Sequence, residues 1–166
     1  MLTDFDTLPP TARVWIYQAA RPLSGAEENS IFSAAQTFLV SWTAHSHELK
    51  AAARIAHRHF LVLAVDESHN AASGCSIDKS VHFVQSLESQ FSVSFFDRTK
   101  QAFLMDGSVQ LVDLKDLKNA VEGGEIASST LAFNNLTDTL GALKTHWLQP
   151  ASQTWLKRYF KQAVST

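Results

Sequence analysis

The sequence predicts an α+β fold, a ferredoxin-like two-layer sandwich in βαββαβ order with an extra hairpin strand and C-terminal helices. Three observations carry this expectation. Strand-like and helix-like segments follow one another in that order along 166 residues. A capping-box pattern opens the first helix, and an Asp-Gly pair between two apolar runs marks the extra hairpin. A mixed α/β sheet, with residues 24–45 as a right-handed crossover helix, is the alternative arrangement. The length suits one domain over residues 1–166, with 1–11 as an extended lead-in and 137–166 as a helical addition.

The lead-in holds Pro9 and Pro10, which donate no backbone hydrogen bond and restrict the residue before them. Arg13-Val14-Trp15-Ile16-Tyr17-Gln18 is rich in β-branched and aromatic residues and reads as a strand. Ser24 and Glu27 form the capping box, and Ile31, Phe32, Ala35, Phe38, Leu39 and Trp42 recur at helical spacing, so a helix is expected to end near His45. Residues 49–66 are too long for one strand and are split into a hairpin near His57 and Arg58. A second helix is expected from about Cys75 or Ser76, with Asp78 in its first turn and Ile77, Val81, Val84, Leu87 and Phe91 on its apolar face. Phe95 and Phe96 suit a short strand. Asp106-Gly107 provides the left-handed backbone of a type I′ turn between residues 102–105 and 109–112. Asp113 is placed to cap a short helix carrying Leu117, Ala120 and Val121 and ended by Gly123 and Gly124. Residues 130–134 read as a further strand, and the remainder to Val164 as two helical pieces broken near Pro150.

Composition narrows the function classes. Charged residues make up only 18% of the chain, against about 25% in typical domains, and the net charge is -2. Such a sparsely charged surface favours self-association. The 14 Lys and Arg are outnumbered by 16 acids and scattered, so there is no basic footprint for nucleic acid. A single cysteine allows neither an internal disulfide nor a thiolate metal cage, which fits a reducing, cytoplasmic setting. The acidic start lacks the pattern of a signal peptide, and no apolar run reaches the roughly 20 residues of a membrane span.

The most site-like stretch is residues 66–78, a polar loop that carries the cysteine to a helix N-terminus, where unpaired amides favour negative charge. Cys75 is the candidate nucleophile or anion contact, His69 the candidate base and Asp66 or Asp78 its orienter, with His82 a second histidine in reach. Glu67, Ser68, Asn70, Ser73, Gly74, Ser76 and Asp78 are the candidate ligand contacts. The competing readings are structural: Cys75 as a small buried residue at a tight turn, and the acids as turn and helix caps. Asp66 with Glu67 could also share a magnesium ion, and His45, His47, His57 and His59 could supply zinc if helix end and hairpin meet, but histidines in exposed turns are the simpler account. No metal and no cofactor is therefore expected. Trp155, Leu156, Tyr159 and Phe160 share a helical face beside Lys157, Arg158 and Lys161, a pattern that suits either docking on the chain's own sheet or a partner groove.

Residues 11–18, 60–68, 70–78, 96–99 and 133–136 together resemble a small bacterial family without established activity, some of whose members carry the label "ABC transporter ATPase". The resemblance runs through almost the whole chain and implies no catalytic residues. An ATPase of that type needs a Gly-Lys-Ser or Gly-Lys-Thr loop to cradle phosphate and place magnesium, and no Gly-Lys pair occurs here. Motifs of the metalloprotease, dinucleotide-binding, serine-hydrolase and paired-cysteine classes are absent as well. The expectation is a cytoplasmic, non-catalytic domain that binds a small molecule or protein and self-associates. The alternative is a small hydrolase or transferase built on residues 66–78, and an RNA-binding domain ranks last.

Overall fold

The structure, a computed structural model, describes residues 1–160. The protein is α+β, and its contacts divide it into two compact units, Met1–Asp97 with Leu136–Lys144, and Arg98–Asn135 with the chain from Thr145.

The first unit is built on a three-stranded antiparallel sheet. Strand β1 (Arg13–Gln18) is followed by helix α1 (Gly25–Val40), a two-residue hairpin β2 (Thr43–Ala44) and β3 (His47–Glu48), then β4 (Lys50–Ala56), β5 (Phe60–Asp66) and helix α2 (Gly74–Phe91). The sheet order is β1-β5-β4, with Trp15 opposite Leu63 and Ala53 opposite Leu63 on the other side. Every residue of β5 is buried, as expected of a central strand written as a continuous apolar run. Trp15, Tyr17, Ala53, Ile55, Leu61, Leu63 and Val65 share one face with Ile31, Ala35 and Leu39 of α1 and with Val84 and Leu87 of α2. Phe38 and Phe83 stack at 4.6 Å between the helices. The three strands pair antiparallel, so the sheet is not a mixed one, but β1 and β4 run in the same direction on either side of β5, and α1 is the crossover between them.

Three expectations in this unit are corrected. Helix α1 stops at Val40, not His45, because Trp42 leaves the helix to bury its ring and donate its indole N–H to the Ser76 carbonyl at 2.8 Å. Phe95 and Phe96 form no strand: the Phe95 amide is taken by the Glu88 carboxylate at 2.8 Å, after Ser92 has ended α2 in a left-handed conformation. Residues 1–11 are not merely extended, since Phe5–Thr7 makes a 3-10 turn and Phe5 and Leu8 are buried.

Both outer edges of this sheet receive other backbone. On the β4 side, Leu2 bridges Ala51 in parallel, with the Thr3 amide donating to the Ala51 carbonyl at 2.9 Å and the Ala51 amide to the Met1 carbonyl at 3.0 Å. On the β1 side, Thr139 bridges Arg13 antiparallel, and the Val14 amide donates to the Asp138 carbonyl at 2.9 Å. The edge beside β1 is where the last strand of a βαββαβ sandwich belongs, and here it holds only this bridge. The strands after α2 pair elsewhere.

In the second unit, β6 (Lys100–Met105) and β7 (Ser108–Asp113) form the expected Asp106-Gly107 hairpin, and β8 (Leu131–Phe133) and β9 (Leu148–Pro150) extend the sheet in the order β7-β6-β8-β9. Helix α3 (Leu117–Glu122) carries Leu117 and Ala120 into a core with Phe103, Ile126 and Leu156. Asp113 does not cap this helix; its carboxylate meets the Lys100 ammonium instead, and a 3-10 turn, Leu114–Asp116, intervenes. Helix α4 (Leu140–His146), whose residues to Lys144 belong to the first unit, is the first expected C-terminal piece, but Pro150 ends an edge strand of the second, where its missing N–H is tolerated. Trp155–Phe160 is a 3-10 helix that buries Leu156 and packs Tyr159 and Phe160 on its own core, as the docking reading expects. Residues 161–164, expected to be helical, and Lys161 lie outside the described residues.

Candidate functional site

The polar loop after β5 is held together by its own side chains. Asp66, the last residue of β5, accepts the Ser68 amide at 3.0 Å, and hydrogen bonds from Ser68 keep its carboxyl below the usual carboxylate range. Glu67 accepts the Ala72 amide at 2.8 Å. The Asn70 amide nitrogen donates to the carbonyls of His47 at 3.1 Å, Glu48 at 3.3 Å and Ala44 at 3.4 Å, tying the loop to the β2–β3 hairpin. Ser73 is the N-cap of α2: its hydroxyl accepts the Ser76 amide at 3.2 Å, while the Ser76 hydroxyl accepts the Ser73 amide at 2.6 Å. A serine at the third helical position thus replaces the usual Glu or Gln of a capping box.

Helix α2 therefore starts at Gly74, ahead of the expected position, and Asp78 lies beyond its first turn, exposed. Cys75 is exposed, so the reading of a buried packing cysteine does not hold. His69 and His82 are exposed too. The structure thus assembles Asp66, Glu67, Ser68, Asn70, Ser73 and Ser76 into one hydrogen-bonded loop, and no hydrogen bond joins Cys75 to His69, His82, Asp66 or Asp78. A nucleophilic cysteine needs a base in hydrogen-bond reach; Asp66 and Glu67 are engaged with backbone amides, and Asp78 is exposed with no hydrogen bond to either histidine. Among the described residues no group of three or more His, Cys, Asp or Glu is placed to hold a metal ion. His59 is buried with its Nδ1 unpartnered, and burial lowers the pKa of both His57 and His59.

A second candidate is a concavity in the first unit along the outer edge of β4. It is an open groove of about 530 Å³, within the range of small-ligand sites. Phe5, Phe32, Ala53 and Ile55 give it an apolar lining, and Asp4, Glu28, Asn29, Gln36 and Arg54 a polar one. Its helical wall follows from spacing: Glu28, Phe32 and Gln36 stand four residues apart on α1, a stripe beside the Ile31, Ala35 and Leu39 stripe that faces the sheet. Arg54 is fixed at the opposite wall, donating to the Asp6 carboxylate at 2.8 Å with its guanidinium 4.3 Å from the Phe5 ring centre.

No family model, curated protein or solved structure matches this chain. The site therefore rests on its own geometry. Sequence reading missed the groove because its wall comes from the proline-containing lead-in. Two signals were present: the isolated aromatic Phe5 among polar residues, and the second stripe of α1. In the second unit, a hollow of about 480 Å³ is lined by Lys100, Asp113, Asp116 and Glu125 among others, but its lysine is already paired with Asp113.

Proposed function

We propose that this protein is a non-catalytic binding protein whose ligand occupies the groove between α1, residues 2–5 and the outer edge of β4. The observation that carries this reading is the groove's mixed lining, apolar along Phe5, Phe32 and Ile55 and polar along Glu28, Gln36 and Arg54, at a volume suited to a ligand or a peptide segment. The loop of residues 66–78 offers less, because its polar side chains are committed to holding its own backbone.

The proposal takes the first unit as a ferredoxin-like derivative. The order β1-β5-β4 is that of such a sandwich without its last strand, and the bridge of Thr139 to Arg13 lies on the edge that strand would occupy. A cytoplasmic setting, self-association and membership of the small bacterial family extend the same reading from the single cysteine, the sparse charge and the quoted segments. None of them adds a residue role. A monodisperse monomer across a wide concentration range would remove self-association.

The second reading, a small hydrolase or transferase at Cys75, is favoured by the exposure of that thiol in the first turn of α2. One experiment separates the two. Amide resonances of the full chain are followed by NMR against a fragment library, and Cys75 alkylation is timed over pH. Shifts gathered at Phe32, Gln36, Ala53 and Ile55 support the groove. Fast alkylation with an apparent pKa well below that of the unfolded chain, and shifts gathered at Cys75 and His69, would transfer the function to the loop.

A further inference from the structure

We infer that the groove's occupant is an extended peptide segment, which adds to the sheet by pairing its backbone with the outer edge of β4 at Ala53 and Ile55. This rests on the groove reading above and names its partner class.

The argument begins with the direction of the backbone groups. Along a strand, successive residues turn their amide and carbonyl alternately to the two sides. Ala51 pairs outward, receiving Thr3 and donating to Met1. Ala53 and Ile55 have the same parity and so also point outward, away from β5. The residues that cover Ala51 do not follow the edge further, because the chain turns into the Phe5–Thr7 3-10 helix. Among the described residues no backbone or side-chain group bonds to the outward amides and carbonyls of Ala53 and Ile55. An unpaired edge of this kind is a template for one more strand.

Shape and charge choose the occupant. The edge left open, residues 53–56, spans about 10–13 Å at 3.3 Å per residue, enough for four residues of an extended chain. A second copy offering its own β4 would bring its own α1 and residues 2–5 on either side of the edge, and these would meet the walls of the groove. A free extended segment has no such flanks. Arg54 is paired with Asp6 and Glu28 with Arg58, at 2.8 and 3.7 Å, which leaves on the walls the Asp4 carboxylate, whose hydrogen bond is from the Asp6 amide. The segment that fits therefore carries a lysine or arginine beside its apolar residues.

The test uses random octapeptides displayed on phage and panned on the full chain. The selected sequence is then synthesised in free form and in two forms N-methylated at odd or at even positions. Only alternate amides of an added strand face the edge, so one methylated peptide is expected to lose at least tenfold in affinity and the other to retain it. Ile55→Pro deletes an outward donor without touching the β4–β5 ladder and is expected to lose binding tenfold or more, with Ala53→Pro as the second variant if the first fails to fold. Asp4→Asn, which keeps the acceptor for the Asp6 amide, is expected to weaken a lysine- or arginine-bearing peptide several-fold. Equal binding of both methylated peptides would overturn strand addition and leave the groove reading intact. So would fragment-induced shifts at Phe32 and Gln36 with no peptide selected. Concentration-dependent shifts at Ala53 and Ile55 without peptide would replace the occupant by a second copy. Silence of these amides toward both peptides and fragments would overturn the groove reading as well.

Discussion

Among the described residues six non-glycine residues hold positive φ, and four of them form two tight turns: His45 and Ser46 between β2 and β3, and His57 and Arg58 between β4 and β5. Both pairs adopt the left-handed geometry that Asp106-Gly107 adopts between β6 and β7, but without glycine. The second turn is held from outside, since the Leu23 amide donates to the Arg58 carbonyl at 2.8 Å and the Arg58 guanidinium donates to the Leu23 carbonyl at 3.2 Å. Ser46 is exposed and no hydrogen bond of its side chain supports its φ of 65°. A left-handed non-glycine residue costs about 1–2 kcal/mol, and glycine gives back part of that in chain entropy, so Ser46→Gly is expected to stabilise by about 0.5–1 kcal/mol in urea unfolding. His59, beside the second turn, is buried with an unpartnered Nδ1. Burial first, and the neighbouring Arg58 and His57 charges after it, lower its pKa, against the raising effect of the His57 backbone carbonyl. The unfolded chain therefore binds this proton more readily than the folded one. The stability it permits is complete above about pH 6.5 and falls as the pH drops below that value. His59→Leu is expected to raise stability by about 1 kcal/mol at pH 7 and to flatten the decline between pH 7 and 5, leaving only the part owed to His57. An unchanged slope in that window would remove His59 as its source.

At the scale of elements, the junction of α1 and α2 is closed by one arginine. Arg21 donates to both Glu27 carboxylate oxygens, at 2.9 and 2.8 Å, and to the Phe91 carbonyl at 2.9 Å, linking the first turn of α1 to the last of α2. The Arg21 hydrogen bond and then the Ser24 amide lower the Glu27 pKa from 4.5 to about 2. A depressed carboxyl contributes stability above its unfolded pKa and loses it as the pH falls through the folded one, so this clasp weakens between about pH 4.5 and 2. Carboxyl-carbon NMR is expected to find the Glu27 midpoint near 2, and Arg21→Ala to move it up toward the ordinary glutamate range. A midpoint near 4.5 in the unmodified chain would mean that the clasp does not form in solution. The capping box behind this clasp was legible from Ser24 and Glu27 alone, as were β5 from its continuous apolar run and the Asp106-Gly107 hairpin from its turn residues. What could not be read shares a physical cause, namely tertiary contacts overriding local pattern. Trp42 has helical spacing but leaves α1 because Ser76, 34 residues on, offers its indole a carbonyl. The His45-Ser46 turn carries no turn-forming glycine or asparagine. For the site, Asp66, Ser73 and Ser76 were correctly drawn to one loop, but their mutual hydrogen bonds, which decide what they can do chemically, depend on geometry. The groove at β4 was illegible because it joins residues 2–5 to residues 28–36 and 53–55.

At the scale of the molecule, the first unit is closed by chain from far along the sequence. Residues 98–135 separate its two segments, yet residues 138–141 return to the start: the Val14 amide donates to the Asp138 carbonyl, the Leu140 amide to the Ala12 carbonyl at 2.8 Å, and the Gly141 amide to the Pro10 carbonyl at 2.9 Å. Such closure carries the loop entropy of more than a hundred residues, recovered only if the returning chain packs closely. Gly141 permits that approach. A Cβ built there would stand 3.2 Å from both the Cβ and the carbonyl oxygen of Pro10. Valine is a better helix former than glycine by a few tenths of a kcal/mol, whereas overpacking a close contact costs about 1–3 kcal/mol, so the contact decides the sign. Gly141→Val is expected to lower the unfolding midpoint and to speed hydrogen exchange at Val14, whose donor bond lies on the displaced edge. Gly25→Ala is the control, because nothing lies within 4 Å of the added carbon at the start of α1, and it is expected to stabilise by up to about 1 kcal/mol. If Gly141→Val leaves both the midpoint and Val14 exchange unchanged, residues 138–141 do not seal the β1 edge in solution, and the sheet of the first unit is left with an open strand on that side.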